Sequence, residues 1–201
     1  MRHTLRSSLI AGAVALLAAA PTATAHAQAR RAAPSTRATA EVSLTFADTA
    51  AQRAAGKPAI MRIDYGQPHL RGRALLTDSL VPMGKVWRLG ANAATLFTTD
   101  VDLTIGGKAV SKGRYVAQLL PERSGWTLIL QQETSGAAQV NVAAYDQGKD
   151  YARIPLTATT LPQAQESLTI AFIPSTAPGV QKGDLTITWG TVHLKADWSV
   201  R

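Results

Sequence analysis

The stretch Leu185-Thr186-Ile187-Thr188-Trp189-Gly190-Thr191-Val192-His193-Leu194-Lys195-Ala196-Asp197-Trp198 decides the fold. Successive side chains of an extended chain point to opposite faces, so Leu185, Ile187 and Trp189 share one face and Thr186 and Thr188 the other. Val192, Leu194, Ala196 and Trp198 then oppose His193, Lys195 and Asp197. Period two places every apolar residue of both runs, as a half-buried strand requires. A final hairpin is expected around Gly190.

The same pattern extends back through the chain. Val42, Leu44 and Phe46 alternate with Ser43 and Thr45, and Met61, Ile63 and Tyr65 alternate with Arg62 and Asp64. Phe97, Val101, Leu103 and Ile105 share a face, opposite Thr98, Asp100, Asp102 and Thr104. Trp126, Leu128 and Leu130 follow the rule, as do Leu168, Ile170 and Phe172. Turn signals separate the runs: Gly106-Gly107, Ser111 to Gly113, Pro121 to Gly125, Gln147 to Lys149 and Pro174 to Gly183. Ala50 to Ala55 suits one helical turn, and no longer amphipathic helix is visible. The expected fold is all-β: one antiparallel β-sandwich domain, jelly-roll-like or a partly closed barrel.

The N-terminal end reads differently. Arg2 and Arg6 precede an uncharged Ala/Leu-rich run from Ser8 to Ala20, followed by the small-residue sites Ala23 to Ala25 and Ala25 to Ala27. That is the pattern of a signal peptide over residues 1–27, and its apolar run is short of the roughly twenty residues that span a bilayer. Residues 28–40, rich in Ala, Pro, Ser and Thr with Arg30, Arg31 and Arg37, read as a disordered basic leader, and 41–201 as the domain. The expected location is periplasmic or secreted. With no cysteine there is no lipoprotein anchor, disulfide or thiolate metal site, so burial alone must stabilise the domain. No transmembrane helix is expected in the mature chain. The net charge of +8 falls to +3 from Glu41 onward, with 16 basic and 13 acidic residues, which gives no footprint for nucleic acid.

Asp64 to Thr95 is the one long segment that does not alternate. Arg71, Arg73, Lys85 and Arg88 supply cations, Tyr65 and Trp87 aromatic faces, and Asn92 a donor and an acceptor. Long ordered loops on a β-scaffold are where sites are commonly placed. Here the chain carries Tyr65-Gly66, Pro68, Gly72-Arg73, Val81-Pro82, Gly84, Val86-Trp87-Arg88, Gly90-Ala91-Asn92 and Ala94-Thr95. It goes on through Ile105 to Lys108, Gly113, Tyr115, Trp126, Leu128-Ile129, Tyr145-Asp146 and Ala152 to Pro155. In these residues it resembles domain-of-unknown-function family 2911, whose members are secreted bacterial proteins. The resemblance covers roughly Glu41 to Val200. It implies a family-wide domain and no particular reaction.

Guanidinium groups suit planar oxyanions, so the segment is read first as a seat for a small anionic or saccharide ligand, with Tyr65, His69, Arg71, Arg73, Trp87, Arg88 and Asn92 as candidates. Against this stands a structural role: arginines pinning the loop through carbonyls, Asp64 or Asp78, and Trp87 plugging the core. The domain is thus expected to be a non-catalytic binding module. The alternatives are a structural or interaction domain of the cell envelope, and a hydrolase-like enzyme using Asp64, His69, Arg73, Arg88 and Asn92. No Gly-x-Ser-x-Gly elbow, phosphate loop or dinucleotide motif is present, so no cofactor is expected. With only His69 and His193 in the domain and no His-x-His spacing, no metal is expected either. Asp100 and Asp102 share a polar face but lack the further oxygens that calcium demands.

Overall fold

Strand follows strand because the apolar period is two almost everywhere. The computed structural model describes residues 34–46, 48–133, 145–179 and 181–201. The expected signal peptide and the leader as far as Ala33 lie outside the described residues. Among the described residues nine strands occur in chain order: β1 (Thr36–Leu44), β2 (Ala59–Gln67), β3 (Thr95–Thr99), β4 (Leu103–Ile105), β5 (Lys108–Val110), β6 (Gly113–Glu122), β7 (Gly125–Gln132), β8 (Asp150–Pro174) and β9 (Lys182–Val200). The short α-helix α1 (Thr49–Ala55) is capped by the Asp48 side chain, which accepts from the Ala51 amide at 2.7 Å.

All neighbours pair antiparallel, in the order β1-β2-β3-β6-β7-β8-β9-β4-β5. Instead of two separate sheets, this is one nine-stranded sheet that does not close. Two long strands carry it round: β8 pairs with β7 through Asp150–Leu156 and with β9 from Thr157 onward. Phe97 of β3 meets Phe172 of β8 at 6.2 Å between ring centroids. Three strand spacings of a flat sheet would separate them by about 14 Å, so the sheet curls until its halves face each other. Met61, Ile63, Tyr115, Leu119, Leu128, Leu130, Ile154, Leu168, Leu185 and Trp198 are buried between them.

Three expectations need correction. Gly190 turns no hairpin, because β9 runs straight through it. Between Thr160↔Val192 and Gln165↔Gly190, β8 advances five residues while β9 advances two, so the irregularity is a bulge. Gly190, at φ 58, shifts the inward face from odd to even positions while remaining inside one strand. Second, Phe97 to Ile105 is two strands that lie far apart in the sheet. The Thr99 hydroxyl donates to the Val101 carbonyl at 2.7 Å and accepts from its amide, which bends the chain without breaking the alternation. Third, order begins before Glu41: β1 starts at Thr36, and Thr36–Ala40 pairs with Ile63–Gln67. The small Ala38 and Ala40 continue the inward face of Val42 and Leu44, and composition alone concealed that.

Candidate functional site

After Gln67 the chain stays beside the sheet. Leu70 donates its amide to the Glu166 carbonyl and Leu168 to that of Pro68, so residues 68–70 form a short bridge with β8. Trp87 and Leu119 exchange backbone hydrogen bonds at 2.7 and 2.8 Å, giving the segment a second anchor. Between these anchors Leu70, Val81, Trp87 and Leu89 are buried. Trp87 stacks on Trp189 with centroids 5.7 Å apart, and a void of only about 20 Å³ remains beneath. The segment is a lid packed into one end of the curled sheet.

The candidate side chains are engaged mostly with the protein's own backbone. Tyr65 is buried, and its hydroxyl accepts from the Ile170 amide at 3.1 Å. Arg73 donates to the Leu70 and His69 carbonyls at 2.9 and 2.8 Å. Arg71 donates to the Pro34 carbonyl and Asn92 to that of Ser35, at 2.7 and 3.2 Å, so both hold the incoming chain. Arg88 is exposed, with no hydrogen-bond or ion-pair partner among the described residues. Asp64 joins none of these groups. It pairs with Arg62 at 2.7 Å, and the hydrogen bond from Arg62 holds its carboxyl below the ordinary carboxylate range.

His69 does meet a hydroxyl: its Nδ1 lies 2.7 Å from Ser167 Oγ. His193 Nδ1 stands equally close to Thr188 Oγ1. Among the described residues no carboxylate hydrogen-bonds either ring, so neither pair has the orienting acid of a nucleophile–base constellation. Asp100 and Asp102 each accept a backbone amide, from Ile60 and Lys112. No group of three or more metal-ligating side chains occurs among the described residues.

The opposite end of the sheet holds a cleft of about 620 Å³. Leu44, Thr45 and Phe46 at the end of β1, Gln52 and Ala55 of α1, and Lys57 to Ala59 form one side. Asp100, Val101, Gly179, Gln181, Val200 and Arg201 form the other. Phe46 stands 61% exposed at its mouth. The Gln181 side-chain amide donates to the Thr45 carbonyl at 2.6 Å, and Gln52 Oε1 accepts from the Phe46 amide at 3.0 Å. These two glutamines hold the β1 exit in place. Sequence reading missed this site because its residues come from five separate parts of the chain, and the alternation of Val42, Leu44 and Phe46 was the sole trace of it.

Against known protein families, residues 47–197 match the model described as protein of unknown function (DUF2911). The chain belongs to this family. No curated protein and no solved structure matched it. Within the DUF2911 match, two signature glycines have a plain physical task. A Cβ on Gly66 would run into the Ala91 carbonyl, and one on Gly90 would sit 2.9 Å from the Gly66 carbonyl oxygen. They let the lid's return pass directly over the end of β2. The cleft takes Leu44, Thr45, Phe46, Val200 and Arg201 from outside the matched DUF2911 region.

Proposed function

We propose that this is an exported, non-catalytic binding domain whose ligand is a small, largely apolar molecule held in the cleft beside α1. The observation that carries the reading is the cleft itself: about 620 Å³, walled largely by aliphatic and aromatic carbon. Ligand sites commonly occupy roughly 300–1,000 Å³ and are mostly apolar with a few placed polar groups. The 65–92 segment offers less, since most of its polar groups are spent on its own chain and little space lies under it. Export rests on the residue pattern from Arg2 to Ala27, and an N-terminus other than one near His26 or Gln28 in protein recovered from the envelope would refute it.

The test is a thermal-shift screen of small apolar molecules on the wild-type protein and on Ala55→Trp, which fills the cleft from α1. A true ligand at one hundred times its Kd adds about 2.7 kcal/mol of stability. The wild type should show a saturable rise in Tm that Ala55→Trp loses while its own unliganded Tm stays close to the wild type's. A screen with no shift, or a shift that survives the substitution, removes the cleft as the ligand seat. A role as an envelope interaction domain is favoured by a different feature: Leu76 and Met83 stand 46% and 41% exposed on the lid. Loss of a partner on Leu76→Ser with the cleft intact would select that role.

A further inference from the structure

Resting on that reading of the cleft, we infer that its ligand carries an anionic head group on an aliphatic body, with Lys57 and Arg201 as the groups that receive the head. The rim's amide and carboxylate side chains are each partly engaged by the backbone. Gln52 and Gln181 each spend one end of the amide on the backbone of Thr45 or Phe46, and Asp100 Oδ2 accepts the Ile60 amide at 3.1 Å. Lys57 and Arg201 line the same cleft, and neither side chain has an ion-pair or hydrogen-bond partner among the described residues. Two unneutralised cations face one carboxylate, so the side-chain charge at the mouth is positive.

The walls decide the rest of the ligand. Phe46, Leu44, Val101 and Val200 offer carbon, and a cation beside such a low-dielectric surface attracts an anion more strongly than one surrounded by water. A chain lying along Phe46 takes that ring out of water, while its head stays at the rim, where both cations remain hydrated enough to need no burial. A neutral sugar would leave both cations without a counter-ion, and a cationic amphiphile would meet them with like charge.

The experiment is titration calorimetry on the full chain with four probes of one chain length: decanoate, decyl phosphate, 1-decanol and decyltrimethylammonium. Either anionic probe should bind at least about fivefold tighter than decanol, and the cation weakest. An exposed ion pair is worth up to about fivefold in affinity, so Lys57→Gln and Arg201→Gln should each weaken anion binding about threefold to fivefold and leave decanol unchanged. Both residues are exposed, so these variants should fold normally. Decanoate and decyl phosphate separate a carboxylate head from a phosphate one. Equal affinity for all four probes overturns the anionic head and leaves the apolar cleft standing. A preference for anions that survives both substitutions overturns the assignment to Lys57 and Arg201. Binding of none of the probes overturns both the inference and the reading beneath it.

Discussion

Gly66 shows how a single atom is legible or hidden. Its place beside Tyr65 in the family signature marked it, but why glycine is needed there appears only when Ala91 crosses over it. Gly66→Ala should therefore cost about 2–3 kcal/mol, as overpacking against rigid backbone does, whereas Gly72→Ala should cost about 1. Gly72 has φ +74 but nothing within 4 Å of an added Cβ, so only backbone strain opposes the change. Urea unfolding of the two variants compares them directly, and equal losses would show that the lid yields at Gly66. The arginines divide in the same way. Arg73→Ala strips two carbonyls of their donor and should cost about 1 kcal/mol, with the loss limited because water can replace it at this exposed position. Arg88→Ala should be neutral within about 0.5 kcal/mol, since surface groups without partners contribute little. Sequence alone treated these two cations as equivalent. Which carbonyl each can reach is a matter of tertiary distance.

At the scale of elements, the lid belongs to the sheet's cooperative structure. The Leu70, Trp87, Leu119 and Leu168 amides all donate across the joins that hold it. In native-state hydrogen exchange these four should be protected to nearly the full unfolding free energy, like the central strands. Rapid exchange at Leu70 and Trp87 would mean that the lid opens independently. The β7–β8 junction gives a pH signature. Burial pushes the Asp150 carboxyl up, but hydrogen bonds from Gln131, Tyr145 and Arg153 outweigh it, so its pKa lies below the ordinary 3.8. The folded state thus binds that proton less tightly than the unfolded chain. The stabilisation is complete above about pH 5 and fades as pH falls below the unfolded value and through the folded one. Asp150→Asn should cost about 1–2 kcal/mol at pH 7, and its difference from wild type should shrink towards pH 2. A gap that stays constant across that range would remove Asp150 from the acid response. The helical turn at α1 and the glycine pair between β4 and β5 were readable because capping and turn chemistry are local. The break at Asp100–Asp102 and the bulge at Gly190 were not, since the first preserves the alternation and the second imitates a turn.

For the whole domain, the point at which order begins is the sharpest consequence. Thr36–Ala40 pairs along β2, and Arg37 donates to the Ala94 carbonyl at 3.2 Å. Limited proteolysis should trim the N-terminal region no further than about Ser35, with mass spectrometry reading the fragment's first residue. A stable fragment starting at Glu41 would restore the boundary that composition suggested. Residues Ala32–Arg201 form one unit, and among those described no helix is long and apolar enough to cross a membrane.

By itself the sequence determined that this domain is built of antiparallel β-strands and that it holds together without disulfides. Those properties follow from period-two burial, composition and short-range turn chemistry, which act between residues close in the chain. Tertiary structure alone decided that nine strands share one curled sheet, that the lid's arginines turn mostly to their own backbone, and that a cleft opens at the other end. Each of these depends on pairings across tens of residues, such as Gln181 with Thr45 or Leu168 with Pro68. A local pattern sets which face of a strand is apolar, but it leaves open which distant strand will cover it.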